Sequence, residues 1–151
     1  MIKYFYLYEN NMKNSKKRFE RIRDNCISIV WLDHWNISYK LPTEMNDEQV
    51  DAKVVSRKYK YFSAEIHFKD SLIKKTHKED SLALLILHEL CHIYCWSWCQ
   101  LFDDVFENWI DLSHNTNVYI HDYMMIIEEQ MTETLARKFL EIYQAENKSN
   151  K

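Results

Sequence analysis

The chain of 151 residues contains no glycine at all and a single proline, Pro42. Lack of glycine excludes the Gly-rich phosphate loops of nucleotide-binding proteins. It also leaves any left-handed backbone position to asparagine or aspartate, which tolerate that conformation next best; asparagine occurs eleven times. No repeat, low-complexity tract or Pro/Gly linker divides the chain, so one domain over 1-151 is expected.

Long apolar runs are missing too. The longest, Leu82 to Leu87, falls far short of the about 20 residues a membrane span needs. No sustained apolar segment followed by small residues opens the chain, so no secretory signal and no membrane partner are expected. Four cysteines in that setting suit reduced thiols in the cytosol rather than a disulfide framework, which points to a cytoplasmic location. A net charge of −3 gives no electrostatic footprint for nucleic acid. The basic cluster from Lys13 to Arg23 alternates with Phe19, Glu20, Ile22 and Asp24, as a solvated helix face does.

What is present reads as an α+β protein. Phe19, Ile22, Cys26 and Ile29 recur at helical spacing within 15–29. Short strands are expected at 35–39, where Trp, Ile and Tyr alternate with polar residues, at 52–55 and at 61–68. In the last, Ala64, Ile66 and Phe68 share one face and Glu65 and His67 the other. Residues 69–80 are polar and loop-like, and Ser81 is placed to cap the next helix. From Leu82 to about Cys99 the sequence is apolar almost all round, as in a central buried helix. Residues 101–120 show no clear period, and a long amphipathic helix is expected from His121 to about Ala145.

The buried helix carries His88-Glu89-Leu90-Cys91-His92. Two histidines and a glutamate in an apolar helix cost several kcal/mol unless each finds a partner. Histidines at i and i+4 share one face, so both imidazoles reach one metal ion, and zinc suits such nitrogen ligands. Glu89 is then the base that takes a proton from the water held by the metal. With seven histidines and thirteen glutamates, an H-E-x-x-H arises by chance roughly 0.03 times.

A hydrolytic site needs a third protein ligand. The metzincin extension fails, because its glycine position is Cys95 and its last histidine position is Trp98. Peptide deformylase motifs depend on glycines that this chain lacks. A glutamate on the long last helix remains, where Glu128 and Glu129 fall within or beside a stripe of Met125, Met131, Leu135, Ala136, Phe139 and Leu140.

Between them, H-E-x-x-H and the stretch Ile126 to Ala136 resemble a compact gluzincin, similar to the ImmA/IrrE group and to small phage-type metallopeptidases. The resemblance covers roughly residues 35–143 and implies a minimal zincin-like fold, with a small antiparallel or mixed sheet packed on the H-E-x-x-H helix and a long C-terminal helix. In that group the third ligand begins a pattern of Glu, two residues, a small residue, a polar one, then an apolar residue and Ala. Started at Glu129, the pattern puts Thr132, Glu133, Leu135 and Ala136 in register. It implies Zn2+ held by His88, His92 and Glu129, with Glu133 bracing a ligating histidine. Glu128 is the alternative third ligand, and His114 would be a third ligand of the SprT-like kind.

The expected function is therefore zinc-dependent hydrolysis of peptide bonds in a cytosolic protein or peptide substrate, laid along strand 61–68 by strand addition. The rival is a zincin-fold module that binds a partner with little or no turnover. Cys91, Cys95 and Cys99, one turn apart, read as core packing rather than a second metal site. His67, His121 and Tyr119 read as surface or packing residues ahead of any role in polarising a substrate carbonyl.

Overall fold

The computed structural model describes residues 2–40, 51–58, 62–69, 71–72, 78–109 and 114–149. Within them the protein is α+β: helix α1 (Ile2–Ile29), strands β1 (Asn36–Lys40), β2 (Ala52–Lys58) and β3 (Ser63–Phe68), then helices α2 (Glu79–Trp109) and α3 (His114–Ser149). None of the described helices is long and apolar enough to cross a membrane.

The stripe expected on α1 is the one that packs. Phe19, Ile22, Cys26 and Ile29 are all buried, and Phe19 sets its ring edge-on to Phe68 with centroids 5.2 Å apart. The helix starts well before Ser15, at Ile2. It closes with two capping bonds, Trp31 N–H to Ser28 C=O (3.0 Å) and Leu32 N–H to Ile27 C=O (3.1 Å). This closure requires a left-handed residue after the helix, normally glycine. Trp31 takes the position, with φ 57°, and Phe62 takes a second, with φ 45°. Asparagine and aspartate do not fill these sites, contrary to expectation. Each aromatic bears a left-handed cost of about 1–2 kcal/mol, offset by ring contacts: Trp31 on Phe139 at 6.0 Å, Phe62 on Trp35 at 5.8 Å and on His34 at 5.4 Å.

The sheet is mixed, in the order β1-β3-β2, with β1 parallel and β2 antiparallel to β3. Ala64, Ile66 and Phe68 line its buried face, as the alternation predicted. The assignment of 61–68 as the edge against which a substrate lies is corrected: β3 is the central strand, paired on both sides. Its inner residues are the sheet's deepest, so it belongs in the middle, where apolar burial is greatest. The edges are β1 and β2, and β2 carries a register shift between Val54 and Ser56 that leaves Val55 exposed.

Helix α2 begins at Glu79, so Ser81 lies inside it and does not cap it. Glu79 and Asp80 occupy the first turn instead, where carboxylates suit the positive end of the helix dipole. The helix continues through Trp109, and α3 is helical from His114, so most of 101–120 extends the two helices. Leu82, Ala83, Ile86, Leu87, Leu90, Cys91 and Ile93 put α2 at the centre of the core. Packed residue pairs Glu79–Tyr143, His88–Glu133 and His92–Glu128 run in opposite order along the two helices, so α2 and α3 are antiparallel.

The buried stripe of α3 differs from the expected one. It consists of Glu128, Thr132, Ala136, Phe139 and Tyr143, whereas Met125 and Met131 are exposed. Met131 is one residue short of Thr132 and so turned about 100° from the stripe. Met125 lies beyond Glu128, ahead of the first buried side chain described on this helix.

Candidate metal centre

Helical spacing on α2 puts the rings of His88 and His92 one above the other, with centroids 4.8 Å apart and planes 85° to each other. Antiparallel packing brings Glu129 of α3 across from both. His88 Nε2 lies 3.2 Å from Glu129 Oε1, and His92 Nε2 lies 3.5 Å from Glu129 Oε2. A ligand atom from each of the three side chains falls within 4.8 Å of the others. Bonds of about 2.0–2.1 Å to a tetrahedral ion would set neighbouring donor atoms about 3.3 Å apart; the two nitrogen–oxygen distances are close to this, and the three donors together lie within 4.8 Å. The histidines are half-buried and Glu129 is largely exposed, which leaves the site open on one side.

The other ring nitrogens face different carboxylates. His92 Nδ1 meets Glu128 Oε1 at 3.3 Å, and His88 Nδ1 meets Glu133 Oε2 at 3.4 Å. An imidazole that gives its Nδ1 proton to a carboxylate keeps Nε2 unprotonated, in the state a metal requires. Glu128 is buried; Glu133 is half-exposed and pairs through its other oxygen with Arg137. Nothing in the sequence singled out Arg137, although it stands one turn after Glu133, where such pairs form. Glu89 follows His88 in the sequence and is only 5% exposed.

One polar group in this region stands out. The hydroxyl of Thr132, fully buried one turn after Glu128, has no hydrogen-bond partner among the described residues.

The remaining candidates lie elsewhere. His114 opens α3, and fifteen residues of helix put its backbone about 22 Å along the axis from Glu129. His67 faces Glu65 at 2.7 Å on the outer side of the sheet, where a hydrogen bond from Lys40, then that from His67, holds the Glu65 carboxyl below the usual range. His121 and Tyr119 are exposed on α3 and are not part of the cluster. Cys91 and Cys95 are buried and form no disulfide, as core packing expects. Burial pushes the Cys91 thiol up to about 12, so it stays protonated at neutral pH and is a poor metal ligand. The side chain of Cys99 lies outside the described residues.

Comparison with protein families, curated proteins and solved structures finds no match to this chain.

Proposed function

We propose that this protein is a zinc-dependent metallopeptidase that hydrolyses peptide bonds in a cytosolic protein or peptide substrate. The convergence of His88, His92 and Glu129, with their ligand atoms within 4.8 Å, carries the reading. Zinc suits two imidazoles and a carboxylate, and the softer alternatives need thiolate ligands that this cluster does not offer. Bound there, the ion would supply Lewis acidity toward the scissile carbonyl and toward water.

The chain's own groups do the rest. His88 and His92 present Nε2, each held by a carboxylate on Nδ1. Glu89, buried one residue from His88, takes a proton from the attacking water and returns it to the departing amine. Two buried cysteines on the same helix, neither in a disulfide, fit a reducing compartment. The substrate backbone lies along β2, which is an edge strand and packs on α2; β3 is closed to it. Preserving a base beside the ligands favours turnover over a purely partner-binding role.

Glu89→Gln is the test. The amide nearly matches the carboxylate in shape and is not a ligand, so zinc content and fold are retained while hydrolysis of a peptide library falls by two to four orders of magnitude, about the usual contribution of a general base. Activity within a few-fold of wild type would assign the base to another residue.

A further inference from the structure

The stretch that carries the site is charged with one sign. From Glu79 to Ala136 there are eleven acidic residues and no lysine or arginine, while the remainder of the chain holds twelve acidic and twenty basic ones. A bound divalent ion leaves that stretch strongly negative. Net charge near −3 for the whole chain conceals the division.

Part of this charge forms a continuous surface with the site. On α3, Tyr119, Asp122, Ile126, Glu129 and Glu133 recur at intervals of three and four residues and therefore share one face. The face is about 21 Å long at 1.5 Å per residue. Tyr119 and Ile126 are 76% and 54% exposed, and Asp122 is exposed between them. Among the described side chains of α3, none before Glu128 is buried. Apolar side chains bared next to a reactive site mark a binding surface more often than scattered ones do. Among the described residues, a cation closes the run only at Glu133, through its pairing with Arg137.

We infer that the α3 face from Tyr119 to Glu133 receives a peptide segment rich in lysine or arginine that also bears apolar side chains. This rests on the metallopeptidase reading and names the class of substrate for that site. Cations on the segment meet Asp122 and the negative field of α2 and α3, while its apolar side chains cover Ile126 and Tyr119. An acidic segment is repelled by the same field, so charge supplies the selectivity and apolar contact the residence time.

The experiment uses the full zinc-loaded chain carrying Glu89→Gln, with fluorescent Lys/Leu/Ser and Glu/Leu/Ser peptides read by anisotropy. The Lys-containing peptide binds more tightly than the Glu-containing one by about tenfold or more, and the gap narrows in high salt. Adding Asp122→Lys and Ile126→Ser, both at exposed positions, weakens Lys-peptide binding by about tenfold with zinc content unchanged. Equal binding of the two peptides by a zinc-loaded chain overturns the proposal and leaves the metallopeptidase reading standing. Concentration-dependent dimerisation abolished by Ile126→Ser also overturns it, since the face then serves a second copy. A chain that takes up no zinc ends both.

Discussion

Glu128 reaches the Nδ1 side of His92, 3.3 Å away, while Glu129, the next residue, faces the Nε2 side of the same ring at 3.5 Å. Adjacent helical residues point about 100° apart, so two successive glutamates grip one imidazole from opposite edges. In the proposed metal site their roles would separate: Glu129 would share the metal with the histidine, and Glu128 would orient it.

Substitution distinguishes the two. Glu129→Ala removes a ligand and should cost more metal affinity than Glu128→Ala, which should lower it by about 10–100-fold, as loss of a carboxylate behind a ligating histidine does. Competition with a zinc chelator measures both. The reverse order would make Glu128 the ligand.

Thr132→Val should leave the protein equally stable or more stable, by about 1 kcal/mol, because the buried hydroxyl has no partner among the described residues and valine keeps its shape. Denaturant unfolding reads this directly. A loss of more than about 1 kcal/mol would show that the hydroxyl makes a stabilising bond.

Glu79 ties α1 to both site helices, accepting from Tyr143 at 2.7 Å and from Arg21 at 2.9 Å. Burial alone would raise its carboxyl, but these hydrogen bonds outweigh it and hold the group below its usual value. A lowered folded-state value contributes stability fully above the unfolded value, about 4.3, and loses it as pH falls through the lowered one. Glu79→Gln should therefore be less stable than wild type at neutral pH, and the difference should shrink in acid. A difference independent of pH would place the group outside this linkage.

Cys26, Cys91 and Cys95 should resist alkylation in the native chain and react once it is unfolded. Burial raises the thiols of Cys26 and Cys91, and reactivity follows the thiolate. Mass spectrometry after a brief iodoacetamide pulse tests this; labelling of Cys91 in the native state would mean that the centre of α2 opens readily.

The H-E-x-x-H motif made half the site legible, because a period of 3.6 residues fixes where two histidines four apart must point. Glu129 needed the resemblance, since hydropathy alone could not separate it from Glu128; the separation depends on how α3 is rotated against α2. The same rotation hid the true stripe of α3, in which Glu128 and Thr132 hold positions that the pattern would give to Met125 and Met131. Strand order was also beyond reach. Alternation revealed the inner face of β3 but not its neighbours, which are set by chain connections of long range. Trp31 and Phe62 at left-handed positions broke a rule of local propensity that ring packing overrides.

Zinc content tests the central claim most directly. Purified protein supplied with zinc and then freed of excess should hold one ion per chain by elemental mass spectrometry. His88→Ala, His92→Ala and Glu129→Ala chains of unchanged helical content should hold little or none. A folded wild-type chain without stoichiometric zinc, or alanine variants that retain it in full, would contradict a metal site at these residues.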